Sequence, residues 1–139
     1  MTKFKELEVW QRAIDFNIKL IELMKELPKS ELYSLQDQCK RASVSISSNI
    51  AEGSGRGSDK DFSRFLKIAL SSAYELESQL IIVETSYKIN TENLRVELTI
   101  IHKQLRSLIF AIKPKKQIVT KSQTGISPLK VSQNDRREF

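Results

Sequence analysis

Along the chain, apolar residues return every four and three positions in long stretches, separated by short breaks at proline and glycine. That spacing is the signature of amphipathic helices, and it predicts four of them. The first spans about residues 6–27. Its stripe is Trp10, Ile14, Asn17, Ile21 and Met24, widened by Leu7, Ala13, Leu20 and Leu27, and Pro28 closes it. The second spans about 34–52, with Leu35, Cys39, Ala42, Ile46, Asn49 and Gly53 in line. The third, about 59–87, carries Phe62, Leu66, Ala69, Ala73, Leu76, Leu80 and Val83. The fourth, about 92–113, carries Leu94, Leu98, Ile101, Leu105, Leu108 and Ile112, and Pro114 ends it.

One stretch argues for a strand. Residues 42–47, ASVSIS, alternate apolar and polar. The four/three stripe continues on both sides of them, however, and a lone strand between helices would leave its backbone groups without partners. A helix is the expected outcome. Helix starts are also legible. Ser58 with Asp59 and Asp61 offers an N-cap and acids for the first turn, and Thr91 with Glu92 offers the same to the fourth helix. Four helices with short connections predict an all-α, antiparallel up-down four-helix bundle over residues 1–113, with Ala69 and Ala73 allowing close approach. Residues 114–139 have few large apolar residues, two of the three prolines and scattered charge. They are expected to be a flexible basic tail.

Charge changes this picture. The 139 residues carry a net charge of +6, but the first 100 hold 14 basic and 15 acidic groups. The excess sits in the last helix and the tail, at Lys103, Arg106, Lys113, Lys115, Lys116 and beyond. A basic region of this kind attracts polyanions such as nucleic acid, although it also serves simply as a solubilising tail. The single cysteine, Cys39, forms no internal disulfide and suits a reducing compartment. No apolar run reaches the ~20 residues of a membrane span. The charged opening, MTKFKELEVW, is unlike a signal peptide, so a soluble cytoplasmic protein with no membrane partner is expected.

Candidate chemistry is sparse. One histidine, His102, and one cysteine far from it in sequence do not make a nucleophile–base pair. There is no Glu-x-x-His motif for a dimetal bundle and no metal-ligand spacing around His102, so no catalytic residue, metal or cofactor is expected. The polar members of the stripes, Asn17 and Asn49, read first as structural residues that fix register, and second as ligand contacts. A polar face of Arg41, Ser45, Ser48 and Glu52 on the second helix, opposite Ser72, Glu75 and Gln79 on the third, could pair across the bundle or across a subunit interface.

Residues 49–57, NIAEGSGRG, hold three of the four glycines. Phosphate loops follow a strand and open a helix, and the Walker type ends in Gly-Lys-Ser/Thr. Here the run follows a helix and ends Gly57-Ser58-Asp59. It reads as a helix end with Gly53 as left-handed cap, then a link, then a new helix. Arg56 has no evident duty in that scheme. With Lys60, Arg64 and Lys67 it forms a cationic group able to grip a polymer backbone.

The run Leu35-x-x-Gln38-x-x-Arg41-Ala42-x-x-Ser45-Ile46-x-x-Asn49-Ile50-Ala51-Glu52-Gly53-x-Gly55-Arg56 resembles the four-helix bundle proteins encoded in intervening sequences of bacterial large-subunit ribosomal RNA genes. Phe62, Phe65-Leu66, Ile68-Ala69, Ser72 and Glu75-Leu76-Glu77 continue the likeness, and Leu7-x-Val9-Trp10 and Ala13 begin it. The resemblance covers about residues 6–112. It implies an antiparallel bundle that assembles as a ring-like homopentamer, without enzymatic activity. Related proteins are accessory subunits of diversity-generating retroelements, where a basic pentamer binds nucleic acid and a reverse transcriptase. Two functions are therefore expected. One is nucleic-acid binding, RNA first and DNA second, through Arg41, Arg56, Lys60, Arg64, Lys67, Lys103, Arg106, Lys113, Lys115 and Lys116. The other is an oligomeric scaffold for a partner such as a reverse transcriptase, with Asn17, Asn49, Glu52, Gly53 and Glu75 building the bundle and its interfaces.

Overall fold

A computed structural model describes residues 3–31 and 34–112, so the boundary at 113 and the expected tail lie outside the described residues. Every regular element among the described residues is helical: a 3-10 turn at Phe4–Glu6, α1 (Glu8–Met24), a second 3-10 turn at Lys29–Glu31, α2 (Leu35–Ser54), α3 (Asp59–Tyr87) and α4 (Glu92–Ile112). α1 packs against α2 and α4, and α3 packs against the same two. Among the described residues the backbones of the diagonal pairs, α1 with α3 and α2 with α4, do not approach one another. With short links between consecutive helices, this is the four-cornered, antiparallel up-and-down bundle that the pattern predicted. The strand-like residues 42–47 lie inside α2.

Local chemistry sets the ends. Ser58 has extended backbone, and its hydroxyl accepts the Asp61 N–H at 3.1 Å, with Asp59 and Asp61 in the first turn of α3. α3 stops where Lys88 turns left-handed at φ 57° and donates its N–H to the Glu84 carbonyl at 2.9 Å. At α4, the expected cap by Thr91 is corrected. Asn90 Oδ1 accepts the Glu92 N–H at 2.9 Å, while Thr91 is buried and bonded sideways to Glu84 and Arg95. α1 ends at Met24, short of Pro28. The N–H groups of Lys25, Glu26 and Leu27 close the tighter three-residue bonds typical of a helix end.

The core matches the predicted stripe of α3 from Leu66 to Val83 and that of α4 from Leu94 to Leu105. Ala69 and Ala73 are fully buried, as close approach requires. α1 is rotated from expectation. Its core line is Val9, Ala13, Phe16, Leu20, Met24 and Leu27, whereas Trp10, Ile14 and Asn17 are only half-buried and Ile21 is exposed. Phe16 carries the largest apolar surface of that line, and burying such a side chain stabilises by ~1.5–3 kcal/mol. In α2 the line runs Cys39, Ala42, Ile46, Ile50 and Gly53, with Asn49 on its flank.

Candidate nucleic-acid interface

The glycine-rich junction is built differently from its sequence reading. α2 continues through Gly53 to Ser54, and Gly55, at its end, is right-handed with φ −87°. Gly53 is therefore not a left-handed cap. It lies where α2 and α3 meet, and a Cβ there would stand 2.6 Å from Phe65 Cβ and 3.1 Å from Phe62 Cδ1. The left-handed glycine of the junction is Gly57, at φ 88°. Phe65, almost fully buried, lies under two guanidinium groups: Arg56 is 4.9 Å and Arg64 4.6 Å from its ring centroid. Arg56 also donates to Glu52 Oε1 at 2.8 Å, and Arg64 stands 3.7 Å from Asp61. Arg56 thus has structural duties, and Glu52 pairs with it, four residues on and just past the end of α2, rather than across the bundle.

The ends of the bundle differ in charge. Ile112 of α4 lines a cleft of about 370 Å³ with Gly53, Gly57, Ser58, Asp59 and Phe62, and Leu7–Val9 line another with Lys103, Gln104, Ser107 and Leu108. The α2–α3 junction, the start of α1 and the end of α4 therefore share one pole. In that half, residues 3–16, 45–73 and 102–112 carry nine Lys and Arg against six Asp and Glu. The opposite half, residues 17–31, 34–44 and 74–101, carries seven against nine.

The cations concentrate further on the face shared by α3 and α4. On α3, Lys60, Lys67 and Tyr74 recur every seven residues and are exposed. On α4, Lys103 and Phe110 are seven apart, and Arg106 lies between them. Arg106 donates to the Tyr74 hydroxyl, which brings the two stripes onto one surface. Tyr74 in turn stacks on His102, with ring centroids 4.4 Å apart. Neither residues 62–74 of α3 nor 98–112 of α4 contain an aspartate or glutamate. Phe110 is 81% exposed, the largest value among the exposed large apolar side chains of the described residues. Tyr74 and Phe110 were absent from the sequence-derived site. The available signal was the spacing of Phe110, four residues beyond Arg106.

The other predicted residues disperse. Arg41 lies on the opposite half of the bundle and pairs with Asp37 of its own helix at 2.8 Å. Glu75 is exposed and accepts from Gln79 on α3 at 3.2 Å. The link that does cross from α2 to α3 is Ser45 to Ser72, hydroxyl to hydroxyl at 2.8 Å. Asn49 supports it by donating to the Ser45 carbonyl at 2.7 Å and to its hydroxyl at 3.0 Å. Asn17 is half-buried, and its side-chain oxygen is buried without a hydrogen-bond partner. Lys113, Lys115 and Lys116 lie outside the described residues.

Among the described residues no cluster of three or more His, Cys, Asp or Glu side chains is placed to hold a metal, and no helix is long and apolar enough to cross a membrane. Burial pushes the Cys39 thiol up to about 11, so it stays protonated and unreactive. Burial also holds the His102 imidazole below its ordinary value, against the opposing pull of the Ala73 backbone and Glu77. A neutral imidazole therefore backs the Tyr74 ring.

These features define an antiparallel helical bundle with one basic pole and an exposed aromatic–cationic face. The family model of the 23S rRNA-intervening sequence protein matches residues 5–109, and the chain belongs to that family. Among solved structures, it is similar to a protein of unknown function from the S23 ribosomal protein family of Bacteroides thetaiotaomicron. The TM-score is 0.67 and the identity 28%, over 78% of this chain and 99% of the other. A search of curated proteins gave no match.

Proposed function

We propose that the protein binds nucleic acid, RNA in the first place, through the basic face that α3 and α4 form at the pole of the α2–α3 junction. The observation that carries this reading is the pairing of two neighbouring helix stretches, 62–74 and 98–112, that hold Arg64, Lys67, Lys103 and Arg106 and no carboxylate, with acids only at their flanks, among them Asp61 beside Arg64 and Glu77 beside His102. Phosphate contacts need closely spaced cations but no enclosed pocket, and nearby acids would oppose them. Lys60 and Arg56 extend the face toward the junction. Arg41, on the other half, drops out of it. The test is a gel shift with single-stranded and duplex RNA and DNA at low salt. Binding by the wild type, and its loss in a Lys67→Glu/Lys103→Glu variant with an unchanged melting curve, supports the reading. No shift with any of them sinks it.

A second reading is favoured by a separate observation. Ile18, Ile21, Val44 and Ile82 are exposed large apolar side chains outside the two stretches that carry the basic face. Side chains of this kind suit a covering surface. A homo-oligomer, a pentamer as the resemblance implies, would cover them, and a protein partner such as a reverse transcriptase is the alternative cover. Sedimentation of the wild type and of Ile18→Asp decides between an assembly held by this surface and a monomer.

A further inference from the structure

We infer that the α3–α4 face recognises an unpaired strand, with Tyr74, Arg106 and Phe110 as successive stacking platforms for its bases. This rests on the nucleic-acid reading and adds the class of ligand to it.

Phe110, 81% exposed at the end of a packed helix, loses the stabilisation that burial would give it. Its surroundings are not apolar. The preceding turns of the same stripe are Arg106 and Lys103, and the facing α3 stripe supplies Tyr74 and Lys67. A cationic surround repels another basic protein surface and suits a polyanion whose bases can cover the ring. Surfaces that bind single strands combine these two elements, a cationic track for the backbone and aromatic faces for the bases.

Spacing favours the single strand over the duplex. On a helix rising about 1.5 Å per residue, Phe110 stands about 6 Å beyond Arg106 and about 12 Å beyond His102, the residue on which Tyr74 stacks. The backbone positions along α4 that present Tyr74 (through His102), Arg106 and Phe110 thus succeed one another at intervals of about 6 Å, nearly twice the 3.4 Å spacing along one strand of a stacked duplex. A strand that engages them in turn must have its bases splayed apart, which a paired strand cannot do without melting. The platforms are also held in place. Arg106 is fixed by its bond to the Tyr74 hydroxyl, and Tyr74 by the buried His102 behind it. Guanidinium planes and aromatic rings alike accept a stacked base.

The test is fluorescence anisotropy with a short labelled RNA of mixed sequence, free or annealed to its complement, in about 50 mM salt. The expected result is tighter binding of the free strand. Phe110→Ala should weaken that binding by about tenfold, leave duplex binding within about twofold, and leave the sedimentation mass unchanged. Phe110→Trp should retain the wild-type affinity. Because Phe110 is exposed, its truncation leaves folding intact, which a melting curve verifies. Equal or tighter binding of duplex, or a Phe110→Ala variant that binds the free strand like wild type, overturns the inference while the basic-face reading stands. A drop in mass on Phe110→Ala overturns it too, because the face then holds a second copy of the chain. No binding of either form removes the basic-face reading and the inference together.

Discussion

Gly53 of α2 packs against Phe65 of α3 so closely that a methyl group at position 53 would lie 2.6 Å from the Phe65 Cβ. The Phe65 Cβ is fixed to the backbone, so it cannot swing away. The helices must separate locally, and Phe65 sits beneath Arg56 and Arg64, which would move with it. Gly53→Ala is expected to destabilise the bundle by ~1–3 kcal/mol, the cost of overpacking, despite the better helix propensity of alanine. Urea unfolding followed by circular dichroism measures this. A variant as stable as wild type contradicts the close approach.

The α3–α4 connection is held by a polar hub around Thr91. Its N–H donates to Glu84 Oε1 at 2.9 Å, its hydroxyl accepts Arg95 Nε at 3.0 Å, and Arg95 Nη2 donates to Glu84 Oε2 at 2.9 Å. Thr91→Val keeps the shape and deletes the hydroxyl, leaving a partner unsatisfied beside a buried position. A loss of ~1–3 kcal/mol is expected by chemical denaturation. The Thr91 backbone bond, followed by Arg95, holds the Glu84 carboxyl below its ordinary value of 4.5. Its stabilising effect is therefore complete above that pH and fades as pH falls below it.

His102 gives a second acid sensitivity at higher pH. Its folded value lies below the ordinary 6.5 because burial disfavours the charged ring, and Arg106 also opposes protonation while Glu77 and the Ala73 backbone favour it. The unfolded chain then binds more protons than the folded one as pH drops below 6.5, so stability falls in that window. Melting temperatures recorded from neutral pH downward should decline there in wild type. His102→Phe should flatten that decline without removing the one below 4.5. An unchanged pH profile in His102→Phe would contradict the assignment.

The sequence conveyed the fold well where a helix has only one apolar face. α3 places Leu66, Ala69, Ala73, Leu76, Leu80 and Val83 on a single line, and all are buried. α1 carries two such lines. Ile14, Ile18 and Ile21 repeat with helical spacing just as Phe16, Leu20 and Met24 do, and periodicity cannot say which line meets the core before the neighbouring helices are in place. The same limit explains Gly53. A glycine near a helix end suggests a cap, whereas its use here depends on Phe65, twelve residues on in another helix. The candidate site was legible in its cations but not in its aromatics. Tyr74 and Arg106 are 32 residues apart, and only packing of α3 on α4 joins them. Arg41, read with the other cations, falls on the far half because sequence proximity to the motif says nothing of the pole it occupies.

The central claim, that the basic face at the α2–α3 pole binds nucleic acid, is tested most directly by the salt dependence of RNA affinity. Each phosphate neutralised on a single strand contributes a slope of about −0.7 to log K against log salt. Anisotropy titrations of a labelled single-stranded RNA across salt concentrations should give a steep linear decline for wild type. Lys67→Glu/Lys103→Glu should both weaken binding at low salt and flatten the slope by about 1.4 or more per protomer engaged. A slope near zero, or a variant that matches the wild type at every salt concentration, contradicts the account.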